Sequence, residues 1–256
     1  MRTLLLTIAL LTAFPAAAQE RVLKLGTEGA YPPFNNLMPD GRLSGFDIDI
    51  GDALCAELKA RCEWVVQDWD GMIPALQAGK FDAAVASMFI TEERKKQVDF
   101  TQPYYRTPAA FIALKSSPLV GTTASDLAGR TIGVQSSSVY ADYVEKLLPD
   151  SKAKAYGAIE DMLADLASGR VDAVNDDQIV LEKFLASPEG SCCRLVGAVA
   201  SVPAIHGDGA GIAVRKGDPL RAELDAAIEA IRKSGKFKEI NDRYFDIDLS
   251  PSSKLE

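Results

Sequence analysis

The sequence contains one histidine, His206, in 256 residues. That excludes a zinc site with two or more histidines and any Ser-His-Asp triad not centred on position 206. Basic residues are in the minority, 28 Lys and Arg against 36 Asp and Glu, for a net charge of -8. Neither the total nor any local run supplies the basic face of a nucleic-acid binder, so no nucleic-acid partner is expected. After the first residues, no apolar run approaches the ~20 residues needed to cross a bilayer. Wholesale disorder is excluded as well, because 47% hydrophobic and 25% charged residues are ordinary for a folded chain. At a soft prior of about 150 residues per domain, the length suits one or two domains.

What is present begins with a leader. Met1-Arg2-Thr3 carries one positive charge, residues 4–11 are apolar, and Ala16-Ala17-Ala18 places small residues before Gln19. This is the layout of a secretory signal peptide cleaved after Ala18. Its apolar core is too short to anchor in a membrane. Export makes the four cysteines disulfide candidates. Cys55 and Cys62 sit late in an expected helix and at the start of an expected strand, while Cys192 and Cys193 are adjacent. Four cysteines allow three pairings, and their spacing does not choose among them.

Short apolar runs alternate with amphipathic stretches. Strands are expected over 22–27, 63–66, 83–87 and 131–134, and a helix over 48–59 opened by Asp47. Such alternation predicts βαβ units and a mostly parallel sheet. The clearest helix follows Asp218-Pro219, with Leu220, Leu224, Ala227, Ile228 and Ile231 on one face and Gly235 as its stop. Residues 70–83 resemble residues 160–173. Met72 matches Met162, Leu76 matches Leu166, Gly79 matches Gly169, and Asp82 matches Asp172. Two similar lobes follow from this repeat. Ligands of open parallel sheets bind beyond the carboxyl ends of the strands, which are Ser87 and Asp177 in the two copies. Facing lobes would put both on the walls of one crevice.

Several residues near those ends suit a small charged ligand. Thr91 is placed to cap a short helix that fixes Arg94, which is either a solvated arginine or a two-pronged grip for a carboxylate. Gln135-Ser136-Ser137 forms a turn, and Ser138 caps a helix over 139–147 whose first N–H groups lack intrahelical partners. Asn175-Asp176-Asp177 ends a strand with two acids, suited to an ammonium group or to a plain turn; no EF-hand spacing is present. Glu28 follows the first strand. Tyr31 and Trp69 face either a ligand or the core.

Together these segments resemble the extracellular solute-binding proteins of polar amino-acid ABC importers, most of all the lysine/arginine/ornithine- and histidine-binding members. The resemblance spans nearly all the chain after the leader. It is carried by Gly26-Thr27-Glu28-Gly29-Ala30-Tyr31-Pro32-Pro33-Phe34, Gly45-Phe46-Asp47-Ile48-Asp49-Ile50 and Ile90-Thr91-Glu92-Glu93-Arg94. Phe100-Thr101-Gln102-Pro103-Tyr104-Tyr105, Gly169-Arg170-Val171-Asp172-Ala173 and Tyr244-Phe245-Asp246 continue it. It implies an α/β, two-lobe periplasmic binding protein fold of type II. Each lobe would be a mixed, mostly parallel sheet flanked by helices, with two crossing strands near 106–108 and 200–204. Residues 1–18 would be the signal peptide, 19–107 plus 204–250 lobe 1, 108–203 lobe 2, and 251–256 a tail. The resemblance further implies hinged closure, a Cys55–Cys62 disulfide, a periplasmic location and a membrane permease as partner. A monomer with no catalytic residues, no cofactor and no metal is expected.

Carried over by position, the resemblance gives Arg94 the α-carboxylate of a small zwitterion, helped by backbone donors near Ser87 and at Val139 and Tyr140. Asp177 and the Ser87 carbonyl would hold the α-ammonium. Tyr31 and Trp69 would sandwich the side chain, and Glu28 would meet a distal cation. Three positions depart from the family pattern: Phe89 replaces a Ser or Thr, Ser137 a Gly, and Val139 a Thr. Tyr31, Trp69 and Phe89 would then make an aromatic box for a cation. The expected ligand is a cationic amino acid or a close derivative, with an opine or a compatible solute such as ectoine as the alternative. Cyclohexadienyl dehydratases share the resemblance and supply an enzyme alternative, with Glu28 or Glu92 as proton donor.

Overall fold

The computed structural model describes residues 21–251. The expected signal peptide, the cleavage site after Ala18 and residues 252–256 of the tail lie outside the described residues. Strand β1 (Arg21–Thr27) leads through β2 (Ala30–Tyr31), β3 (Asn35–Leu37) and β4 (Leu43–Ser44) to helix α1 (Phe46–Glu57) and β5 (Ala60–Val66). Then come α2 (Met72–Gln77), β6 (Ala83–Ala84), α3 (Glu92–Lys95) and β7 (Asp99–Phe100). The middle of the chain forms β8 (Ala109–Leu114), α4 (Ala124–Leu127), β9 (Thr131–Gln135), α5 (Val139–Leu147) and β10 (Lys152–Tyr156). It continues through α6 (Ile159–Ala167), β11 (Ala173–Asp177), α7 (Gln178–Leu185) and β12 (Cys193–Val199). The chain then runs through α8 (Pro203–His206), β13 (Ala213–Val214), α9 (Leu220–Lys233) and α10 (Lys236–Tyr244).

Two five-stranded sheets organise the two lobes, in the orders β5-β1-β6-β13-β7 and β10-β9-β11-β8-β12. In both, the first two pairings are parallel and the last two antiparallel. The chain passes from one sheet to the other between β7 and β8 and returns between β12 and β13. The two passages meet at Ala210, which bridges to both Phe89 and Tyr105.

The internal repeat holds at the level of single bonds. Asp82 Oδ2 accepts from the Lys24 N–H of β1, and Asp172 Oδ2 accepts from the Thr131 N–H of β9. Both aspartates also donate their own N–H to the carbonyl of that same partner, at 2.8 Å in each lobe. Gly79 and Gly169 take φ of 73° and 71°, the left-handed turn that lets each helix stop before its strand. The matched aspartates therefore clip corresponding strands together.

Each sheet is buried on both faces, as parallel sheets require. In the first lobe, Leu54 of α1, Ile228 and Ile231 of α9 and Phe237 of α10 join the core on one side; Met72, Leu76 and Phe81 form a second cluster. In the second, Met162 and Leu166 of α6 and Leu181 of α7 oppose a cluster holding Val139 and Val144 of α5. Each fully buried side chain of this kind contributes about 1.5–3 kcal/mol. Helix α9 buries the five residues its spacing marks, and Asp218 Oδ1 accepts from the Leu220 N–H at its start. Cys55 and Cys62 are disulfide-bonded, tying α1 to β5, whereas Cys192 and Cys193 are free thiols.

Two local expectations are corrected. Helix α1 starts at Phe46 with no side-chain cap, and Asp47 does not open it. The Asp47 carboxylate is instead buried, accepting from the Tyr104 hydroxyl at 2.7 Å and from Asn35 and Ser87 at 2.9 Å. The strand expected over 83–87 is only Ala83–Ala84. Ser87 leaves it with a left-handed φ of 53°, its N–H donating to the Tyr104 hydroxyl at 3.2 Å. A non-glycine residue in that region costs on the order of 1–3 kcal/mol and persists where its surroundings over-determine it. Asp47 and Tyr104 do so here.

Candidate functional site

A cavity lies between the lobes. From the first lobe it is lined by Glu28, Tyr31, Trp69, Ala86, Ser87, Phe89 and Arg94. From the second it is lined by Gln135, Ser138, Val139 and Tyr140. All the site residues expected from the sequence line it except Asp177. Ala86 and Gln135 were not expected there, although Gln135 ends β9 as Ser87 follows β6, and the strand-end rule marks it.

Arg94 is set by local helix chemistry. The Thr91 hydroxyl caps α3 by accepting the Arg94 N–H at 3.2 Å, which places the guanidinium one turn in. The Arg94 guanidinium donates to the Phe89 carbonyl at 2.8 Å and to the Ser137 carbonyl at 2.9 Å. It lies 5.2 Å from the centre of the Trp69 ring. Among the described residues no carboxylate forms an ion pair with it. Burial pulls its pKa down to about 10, so it stays charged at neutral pH.

Glu28 is the opposite case. Its Oε1 accepts from the Gln135 amide at 2.8 Å, and no described cation pairs with it. Burial pushes its pKa up to about 8; the Gln135 bond opposes the rise, and the negative charges of Asp176, Glu160 and Asp68 add to it. Without a cation nearby, Glu28 holds its proton at neutral pH.

The rings complete the walls. The Tyr31 hydroxyl donates to Asp176 Oδ1 at 2.7 Å, and Trp69 Nε1 donates to the Ser136 carbonyl at 3.0 Å. Phe89 meets Tyr140 edge-on at 6.3 Å, so four aromatic side chains surround the space. The Ser136 hydroxyl also reaches Asp70 at 2.7 Å. These contacts, with Arg94–Ser137 and Glu28–Gln135, join the two lobes around the cavity.

Asp177 and the two backbone donor groups behave differently. Asp177 Oδ1 caps α7 by accepting the Ile179 N–H at 2.8 Å, and Oδ2 accepts from the Thr107 hydroxyl. Tyr140, which does line the cavity, reaches the same Oδ2 at 3.5 Å. Asp177 is thus one contact behind the wall, and burial raises its pKa to about 7. The Ser87 N–H is committed to Tyr104. Ser138 accepts from the Ala141 N–H; the Val139 and Tyr140 N–H groups have no intrahelical acceptor, and both residues line the cavity. Ser137 takes φ of 56°, the backbone region that glycine fills most easily, and its carbonyl is the one that Arg94 holds. Glu92 is exposed and paired with Lys95.

Residues 23–247 match the model of the bacterial extracellular solute-binding proteins, family 3. The L-arginine-binding protein of Pseudomonas aeruginosa is 42% identical over 245 residues, covering 94% of each chain. The lysine/arginine/ornithine-binding periplasmic protein of Escherichia coli is 31% identical, covering 97% of this chain and 99% of its own. A solved structure of an ancestral arginine-binding protein bound to arginine superposes with a TM-score of 0.81 at 36% identity, covering 89% of this chain and all of its own. With two matching lobes, a cavity between them and relatives that are binding proteins by name, this chain belongs to the bacterial extracellular solute-binding proteins, family 3.

Proposed function

We propose that the chain is the extracellular binding component of an amino-acid ABC importer. It takes a cationic amino acid, arginine first, in the interlobe cavity and delivers it to a membrane permease. One observation carries this reading: among the described residues, a buried guanidinium with no paired carboxylate and a buried carboxyl with no paired cation face the same aromatic-walled space. A molecule with a carboxylate at one end and a cation at the other answers both deficits. An unpaired buried guanidinium is costly, and a cation at the far end lets Glu28 ionise, so such a ligand gains from both ends at once.

In this reading Arg94 and the Val139 and Tyr140 N–H groups take the α-carboxylate. Ser87 takes the α-ammonium at the wall, and Asp177 serves it through Tyr140. Tyr31, Trp69 and Phe89 flank the side chain, and Glu28 gives up its proton to meet the distal cation. The crossings near 106–108 and 200–204 act as the hinge. Relatives named for arginine and for lysine, arginine and ornithine support the ligand class.

A thermal-shift screen of amino acids, opines, polyamines and osmolytes tests the reading. A ligand at one hundred times its Kd adds about 2.7 kcal/mol of stability. Arginine, lysine or ornithine should give the largest shift. A larger shift from octopine-like opines or from ectoine would move the assignment to those ligands.

A second reading takes Glu28 as the proton donor of a cyclohexadienyl dehydratase-like enzyme. What favours it is that Glu28 lines the cavity and burial pushes its pKa up to about 8. Glu92 is exposed and ion-paired with Lys95. Product formation from prephenate or arogenate would replace the transport reading.

A further inference from the structure

Asp176 is the second-last residue of β11 and is fully buried, yet it is not part of the cavity wall. Its Oδ1 accepts two hydrogen bonds at 2.7 Å, one from the Tyr31 hydroxyl and one from the Asp177 N–H. Among the described residues its Oδ2 has no hydrogen-bond partner. A buried polar atom left unpaired costs about 1–3 kcal/mol, so it calls for an explanation. Hydrogen bonding supplies none. An asparagine at this position would accept the same two bonds through its own Oδ1. What an acid adds is negative charge.

That charge lies one side chain away from the cavity. Tyr31 stands between Asp176 and the cavity, because it bonds to one and lines the other. Among the described residues no cation pairs with Asp176. The groups facing it are Tyr31, Tyr140, Asp177 and Glu28, none of them positive. We propose that Asp176 is a specificity-determining residue whose charge, felt across the Tyr31 side chain and by Glu28, favours a cationic side chain over a neutral one of the same shape. This rests on the ligand class proposed above and deepens it. Burial pushes the Asp176 pKa up to about 7, and its charge helps to raise that of Glu28. The empty subsite therefore holds shared protons that a cation displaces.

Arginine and citrulline have nearly the same shape and differ in the charge of the side-chain end. Calorimetric titration of both ligands into wild type, Asp176→Asn and Tyr31→Phe at pH 7 tests the proposal. Asp176→Asn should lose roughly tenfold in arginine affinity with citrulline changed by less than about twofold. It should also release fewer protons on binding arginine, read from titrations in two buffers of different ionisation enthalpy. Tyr31→Phe keeps the acid and should keep the arginine-to-citrulline ratio even as both affinities fall. If Asp176→Asn weakens both ligands alike, Asp176 only positions Tyr31 and the proposal is overturned; an unchanged ratio overturns it too. A wild type that binds neither ligand overturns the proposed function and this inference with it. A wild type that prefers arginine while Asp176→Asn keeps that preference overturns this inference alone.

Discussion

Glu28 and Gln135 occupy equivalent places in the two lobes and are hydrogen-bonded to each other across the cavity at 2.8 Å. In the first lobe Leu25 of β1 pairs with Ala83 of β6, and in the second Ile132 of β9 pairs with Ala173 of β11. Each of the bonded residues lies the same distance beyond its paired strand position. The internal symmetry thus aims two strand ends at one point, with an acid on one side and an amide on the other. An amide can donate to an acid but carries no charge, so an ionised Glu28 still needs a counter-charge.

Glu28→Gln removes that acid while keeping its shape. Affinity for arginine should fall by about two powers of ten, the size expected for one lost buried charge pair. Affinity for glutamine or citrulline should change far less. Isothermal titration of the three ligands decides, and equal loss for all three contradicts the role of Glu28.

Arg94→Ala should reduce binding of every α-amino acid by at least two powers of ten, regardless of side chain. Arg94→Lys should not restore it. A lysine ammonium cannot make the paired, planar donation of a guanidinium or its stacking on Trp69. Near-wild-type binding by either variant, with intact thermal melts, would remove Arg94 from the site.

The carboxyls give a pH signature with a definite sign. Glu28 is pushed up to about 8, and Asp176 and Asp177 to about 7, in each case mainly by burial. Unfolded carboxyls lose their protons near pH 4. Between pH 4 and 8 the folded chain therefore binds more protons than the unfolded chain, and linkage makes stability fall as pH rises through that window. The ligand-free melting temperature should drop from pH 5 to pH 8 on this account. A cationic ligand favours the ionised acids, so the shift produced by saturating arginine should be larger at pH 8 than at pH 6. A shift that shrinks over that range contradicts the assignment.

Phe89→Ser exchanges a cavity-lining ring for a hydroxyl able to accept from an ammonium. It should strengthen plain α-amino acids relative to substituted ammonium ligands such as opines and ectoine. A competition series that leaves the ranking unchanged argues that Phe89 serves only the core, where it meets Tyr105 edge-on at 6.5 Å.

Much of this was legible in the chain because the signals were local. Thr91 ahead of Arg94, Ser138 ahead of residues 139–147, and the Asp82–Asp172 repeat each state a cap or a strand clip in a few residues. Asp47 was misread because an acid before an apolar stretch looks the same whether it caps a helix or accepts three buried donors from distant elements. That Asp177 sits one contact behind the wall is hidden for the same reason: Thr107 and Tyr140, which contact its carboxylate, come from other parts of the fold. Gln135 and Asp176 gained their meaning only once two lobes faced each other. No spacing along one chain encodes that a strand end in one lobe meets its counterpart in the other.

The most direct test of the central claim is a crystal structure of the chain with arginine bound. The account predicts the α-carboxylate on Arg94 and the guanidinium at Glu28, enclosed by Tyr31, Trp69 and Phe89. Arginine lodged with its ends reversed, or outside this space, would contradict it.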